Sequence, residues 1–236
     1  MKVSIRRSCD RGTAEHGWLH ARFTFSFADY FDPNHIGFKS LQVMNNDIFE
    51  PHGGFPMHSH ENAEIFTYIL SGCLQHEDSM GNTSTITSGN LQYMSAGTGV
   101  SHSEFNPSSD TPCELYQIWM RPNIQGGSPT YTEKPLMTGS ASSKLRLLFS
   151  GDGHSGSTKI RQNAEFYFGH LLPGQEQQLP ISASLQNVWV QMISGQIEVF
   201  GETLQLADGL AIEDCLELPL IRASEESCFF VFLMCS

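Results

Sequence analysis

His58, Ser59 and His60 set two imidazoles two residues apart at the head of a strand-like run, FPMHSHENAEIFTYILSG (55–72), with Glu64 four residues beyond the second. Successive side chains of a β-strand point to opposite faces, so positions i and i+2 share a face and both rings can aim at one point. The same spacing recurs in GVSHSEFN (99–106), where His102 and Glu104 are two apart. Two strands that each offer a same-face pair supply three neutral imidazoles and one carboxylate. That donor set suits Fe(II), Mn(II), Co(II), Ni(II), Cu(II) or Zn(II), since imidazole accepts most late first-row divalent ions. Glu64 competes with Glu104 as the carboxylate of such a centre.

Positioning these side chains requires strands, and strand signals dominate the chain. EIFTYIL (64–70), LYQIWM (115–120), VWVQMI (188–193) and CFFVFLM (228–234) are short runs rich in β-branched and aromatic residues, most of them bounded by Gly, Asn, Ser or Pro. Phe23, Phe25 and Phe27 alternate with Thr24 and Ser26, the period of a half-buried strand, and this stripe reads as core. DSMGNTS (78–84) reads as a hairpin connection, with Gly81 and Asn82 tolerating positive φ. No long amphipathic helix is evident. Many short strands with regular turn signals predict an all-β sandwich or barrel.

A faint internal repeat divides the chain. FTYILSGCLQH (66–76) matches VWVQMISGQIEV (188–199), each an apolar run, Ser-Gly, then another strand, and TSGNLQYMS (87–95) parallels LADGLAIED (206–214). Between the copies, RPNIQGGSPTYTEKP (121–135) carries the Pro and Gly of a linker, which places the boundary within 121–140 and predicts domains at 1–130 and 131–236. His58, His60 and His102 fall in the first copy, while the chain has no histidine after His170, so metal is expected in the N-terminal domain alone. His16, His20, His35, His52, His76, His154 and His170 lack the paired spacing and read as surface or packing residues.

Composition narrows the function classes. Of 236 residues, 39% are hydrophobic and sixteen are Phe, enough for packed cores and against disorder. With 25 acidic against 13 basic residues the net charge is −12, a field that repels phosphate backbones, so direct nucleic-acid binding is not expected. Cys9, Cys73, Cys113, Cys215, Cys228 and Cys235 are scattered without a CxxC, as in reduced thiols of a reducing compartment. MKVSIRRSCDRG has no apolar run behind its charges and no segment is long enough to span a bilayer, so a cytoplasmic protein without membrane association is expected.

GGFPMHSHENAEIFTYILSG followed by SGNLQYMSAGTGVSHSEFN resembles the two-motif signature of the cupin superfamily, and in detail that of the pirins, two-cupin proteins with quercetin 2,3-dioxygenase-like bacterial members. HGWLHARFTFSFADYFDPNHIGF (16–38), HEDSMGN and LYQIWM are similar to pirin segments as well, which makes His76 a mild exception among the unpaired histidines, and the likeness is strong over the first 135 residues. It implies a bicupin of two jelly-roll domains, with the C-terminal one degenerate. In cupin register counted back from Gly72, Ile65 takes the usual carboxylate position, and a one-residue displacement turns a strand side chain to the other face. Glu64 is therefore expected to be structural. The pirin pattern maps the ligands to His58, His60, His102 and Glu104.

The resemblance further implies one divalent metal, Fe(II) first among those named above, and a flavonol dioxygenase that uses O₂ and releases carbon monoxide, with Glu104 as ligand and base together. Phe55, Met57, Met94 and Phe105 are expected as pocket walls. The partners are then a phenolic substrate and O₂, in a monomer whose cupin halves pack together. The alternative within the same family is a metal-responsive regulator acting through a protein partner.

Overall fold

The structure, a computed structural model, describes residues 1–136 and 144–235. Residues 137–140 of the expected linker lie outside the described residues. The chain forms two compact units, Gly12–Gly139 and Met1–Arg11 together with Ser140–Ser236. Almost every element is a strand, and the described residues contain short 3₁₀ turns but no longer helix. No helix among them is long and apolar enough to cross a membrane.

The first strand, β1 (Lys2–Arg6), belongs to the second unit. The Gly12–Gly139 unit is built from β2 (Gly12–Glu15), β3 (Leu19–Phe23), β4 (Leu41–Phe49), β5 (Gly54–His60), β6 (Glu64–Ser71), β7 (Cys73–Asp78), β8 (Thr83–Thr87), β9 (Asn90–Ser95), β10 (Val100–Phe105), β11 (Cys113–Met120) and β12 (Thr130–Pro135). They form a seven-stranded sheet in the order β12-β9-β6-β11-β4-β3-β2 and a four-stranded sheet in the order β5-β10-β7-β8. This is a cupin jelly roll, with every pairing antiparallel.

The second unit repeats the arrangement. Its large sheet runs β1, Gly209–Glu213, Asn187–Ser194, Ser227–Met234, Ala164–Leu171, Leu145–Ser150, Thr158–Lys159, beside a four-stranded sheet of short strands. The repeated segments occupy equivalent places: β6 pairs with β9, and Asn187–Ser194 pairs with Gly209–Glu213. The Ser-Gly of each copy turns the chain through a left-handed residue, Gly72 at φ +73° and Gly195 at φ +77°, a conformation that costs glycine nothing. β1 takes the edge position in the second unit that β12 takes in the first, so the outer strand comes from the N-terminus in one unit and from mid-chain in the other.

Three local expectations are corrected. The Phe stripe is not one strand: β3 ends at Phe23, and Phe27 and Tyr30 bridge each other across a tight turn that puts Ala28 at φ +50°. The stretch 121–135 is not linker throughout, because its alternating Thr-Tyr-Thr end pairs with the free edge of β9 as β12. In the 78–84 hairpin only Gly81 has positive φ. Asn82 contributes through its side chain instead, donating to both carboxylate oxygens of Asp78.

The inner faces of the first unit are layered. Ile69, Leu74 and Leu115 belong to one apolar cluster with Phe49 and Leu19, and Ile65, Met94 and Val100 to another. Two residues along from these on the same faces stand Thr67, His76, Gln92, His102 and Gln117, all buried. A polar layer thus lies between two apolar ones. Gly54 admits β10 to this layer, since a Cβ there would fall 2.2 Å from the Glu104 carbonyl oxygen. Gly54→Ala is expected to cost about 1–3 kcal/mol by overpacking, read as a lower thermal midpoint of the metal-free protein. An unchanged midpoint would show that β5 yields freely.

Candidate metal centre

β5 and β10 are antiparallel neighbours, with His102 opposite His58 and Val100 opposite His60. A bulge follows, so that Glu104 faces Phe55 instead of a residue two back from His58. The bulge keeps Phe55 on the inner side, where its ring packs edge-on against Trp18 and Phe49. His58, His60 and His102 converge, their ring centroids 4.5–5.0 Å apart. One ligand nitrogen from each lies within 4.8 Å of the others. Glu104 falls in a second group of the same span with His102 and His76, so His102 is common to both groups, and no single group of that span holds all four predicted residues.

The hydrogen bonds leave donor atoms free for a cation. His58 donates from Nδ1 to the Pro56 carbonyl at 2.8 Å, which leaves Nε2 with its lone pair. His102 is 1% exposed and its Nε2 is buried without a hydrogen-bond partner. A buried polar atom left unpaired is costly unless something absent from the chain satisfies it. Burial and the neighbouring His58 push the His60 pKa down to about 4. Burial, aided by His58 and His60, pushes that of His102 down to about 2. Both rings are therefore neutral at pH 7, the form that binds a metal ion. The residues fit a divalent transition metal.

Glu104 is enclosed by β6 and β11. Thr67 Oγ1 donates to Oε1 at 3.3 Å and Gln117 Nε2 donates to Oε2 at 3.1 Å. Burial raises its pKa to about 7, against the lowering effect of those two donors. Trp119 donates to Gln117 Oε1 and packs its ring edge-on to His60 and to Phe27. Glu64 lies on the opposite face of β6 from Thr67. Its carboxylate accepts the hydroxyls of Tyr93, at 2.5 Å, and Ser95, at 2.6 Å, and it enters neither ligand group.

Of the expected pocket walls, Phe55 approaches His58, with ring centroids 6.0 Å apart, and Met94 is a buried member of the apolar layer that holds Ile65. Met57 is 54% exposed. Phe105 is on the outward face of β10, because it alternates with His102 and Glu104. Neither of these two lines the interior.

Sequence reasoning set His76 apart only mildly, through the resemblance of its segment, and passed over Thr67 and Gln117. His76 and Asp78 are also two apart, on β7, and both side chains are completely buried. That spacing was visible in LQHED, but only the β10–β7 pairing, with Glu104 opposite His76, shows that it faces the site. Thr67 and Gln117 have ordinary strand surroundings in the sequence and no motif to find them by.

Comparison with known proteins agrees with this architecture. Residues 3–120 match the Pirin family and residues 147–234 the quercetinase C-terminal cupin domain. A quercetin 2,3-dioxygenase of Escherichia coli (strain K12) is 42% identical over 212 residues, covering 90% of each chain. A pirin-like protein of Caulobacter vibrioides is 37% identical over 86% of this chain and 87% of its own. The crystal structure of the bacterial pirin YhhW from Escherichia coli in complex with nickel(II) superposes with a TM-score of 0.93 at 39% identity, covering 99% of both chains.

Proposed function

Since the chain belongs to the pirin family, we propose that it is a metal-dependent dioxygenase of flavonol-type substrates and that His58, His60, His102 and Glu104 hold its metal, with Fe(II) the first candidate. The observation that carries the reading is the convergence of three imidazoles, one of which, His102, has a buried and unpartnered Nε2, beside a carboxylate sealed in the same layer. A relative named quercetin 2,3-dioxygenase and a nickel(II) complex of a similar pirin support the substrate class and the site. A divalent ion bound there supplies a Lewis-acidic charge, with coordination positions left open for an anionic enolate or phenolate oxygen.

The chain's own residues do the rest. Glu104, ligand and base together, accepts the proton of the flavonol 3-hydroxyl. Thr67 and Gln117 hold its two oxygens, so the carboxylate keeps its direction as the proton arrives. Trp119 and Phe55 place apolar rings beside the imidazoles, with Phe27 packed on Trp119, and limit water near the deprotonated ring. The electron-rich substrate then reacts with O₂, and the heterocycle opens with release of carbon monoxide.

The test is aerobic turnover of quercetin by protein loaded anaerobically with each of the six ions in turn. Flavonol absorbance, O₂ uptake and carbon monoxide are followed together, with His58→Ala as control. Metal-dependent loss of flavonol with matching carbon monoxide is expected. One bound ion per chain with no turnover on any of them would overturn the dioxygenase reading.

A further inference from the structure

We propose that His76, anchored by Asp78, is a positioning residue that fixes the tautomer and orientation of His102 so that Nε2 of His102 faces the metal. The inference rests on the metal reading above for its purpose, but its geometry stands without a metal.

The arrangement is a chain of three side chains across two paired strands. On β7, His76 Nε2 lies 3.2 Å from Asp78 Oδ2, with both side chains at 0% exposure. An ionised carboxylate only accepts, so Nε2 of His76 carries the proton of the neutral ring and Nδ1 is left with a lone pair. Gln92 Nε2 points its N–H at that same Nδ1 from 3.2 Å, so the single lone pair there is shared, in a three-centre bond, with any second donor that reaches it. His102 presents its own Nδ1 at 3.5 Å from His76 Nδ1. With His76 accepting, His102 donates from Nδ1, and its buried, unpartnered Nε2 is the lone-pair nitrogen. His58 is held the same way by the Pro56 carbonyl, which shows one device used twice with different acceptors.

The surroundings hold His76 still. Tyr131 stacks on its ring at 4.8 Å with 25° between the planes. Asp78 is fixed in turn by the hairpin it closes, its Oδ1 accepting the backbone N–H groups of Met80 and Asn82 and the Asn82 amide. This explains a buried His–Asp pair that the proton transfer to Glu104 does not use. The carboxylate polarises His76, which makes it a better acceptor for His102 and makes His102 a stronger donor to the ion.

Two variants separate positioning from packing. His76→Leu fills the space without an acceptor, whereas His76→Asn puts an amide oxygen close to where Nδ1 was. Metal-free wild-type protein, ¹⁵N-labelled in histidine, is expected to show His102 wholly as the Nδ1–H tautomer in long-range ¹H–¹⁵N spectra. His76→Leu shifts it toward Nε2–H and weakens Ni(II) binding by about 10–100-fold, and His76→Asn restores most of both. An Nε2–H tautomer of His102 in the wild type overturns the proposal. So does unchanged Ni(II) affinity and tautomer in His76→Leu. Equal loss in His76→Leu and His76→Asn with an unaltered tautomer would assign His76 to packing alone, and overturns it too. Failure of wild-type protein to bind Ni(II), with the tautomer as expected, would instead count against the metal reading.

Discussion

Replacing His102 by alanine is expected to abolish stoichiometric metal binding, as is His58→Ala, while Glu64→Gln leaves the metal largely bound. His102 is shared by both ligand groups, and its Nε2 has no other partner, so truncation removes the donor that the rest of the cluster surrounds. The loss should exceed the ~10–100-fold that removal of an outer hydrogen-bond partner costs. Glu64 differs by one residue in register and so by a whole face: Thr67, three residues on, faces Glu104, and Glu64 meets Tyr93 and Ser95 instead. Glu64→Gln keeps the side-chain shape and disturbs those hydroxyl contacts, away from the ligand groups. Equilibrium dialysis of each variant against Ni(II) and, anaerobically, Fe(II) gives the comparison. Metal loss in Glu64→Gln equal to that in the histidine variants would sink the register argument.

The second large effect is expected from Glu104→Gln, which should fold normally yet lose about 10²–10⁴-fold in turnover, the contribution typical of a positioned base. The amide keeps the volume and can still accept the Thr67 hydroxyl, so the layer stays packed. What disappears is the group that takes the proton, and with it the anionic member of the proposed ligand set, so metal content is measured beside turnover. Stability should move the other way. In metal-free protein the folded-state pKa of Glu104, about 7, lies above its ordinary value of 4.5, so ionisation is harder folded than unfolded. Wild-type stability therefore declines as pH rises from about 4.5 to 7, by about 3 kcal/mol at most for a shift of that size. Glu104→Gln lacks this decline, so its advantage over metal-free wild type is full above pH 7 and fades below it. Thermal midpoints from pH 4.5 to 8 test this. A pH-independent difference would mean that Glu104 stays ionised throughout, and unchanged turnover would remove it from the base role.

Both expectations depend on features of unequal visibility. The His-x-His and His-x-Glu pairs were legible because side-chain alternation along a strand is a local property, independent of what the strand pairs with. Separating Glu104 from Glu64 also took the cupin register that the resemblance implies, to which the alternation was then applied. The repeat, the turn glycines Gly72 and Gly195, and the all-β class were legible for the same kind of reason, each written in a short window.

Other features depend on partners far along the chain. LQHED has the spacing of a site pair, but His76 matters only because β10 lies between β5 and β7 and brings His102 against it. Thr67 and Gln117 hold Glu104 through contacts 37 and 13 residues away in sequence. β12 looked like linker because Gly and Pro precede it, and it became a strand because β9 offered an unpaired edge. β1 joins a sheet whose neighbour strand begins at Gly209, a pairing no local pattern announces. Thus the amino-acid sequence by itself determined which side chains share a strand face, and with that the chemistry this protein offers. Only the tertiary structure decided which faces meet, because strand order and register are set by non-local pairing and by the burial of a polar layer between two apolar ones.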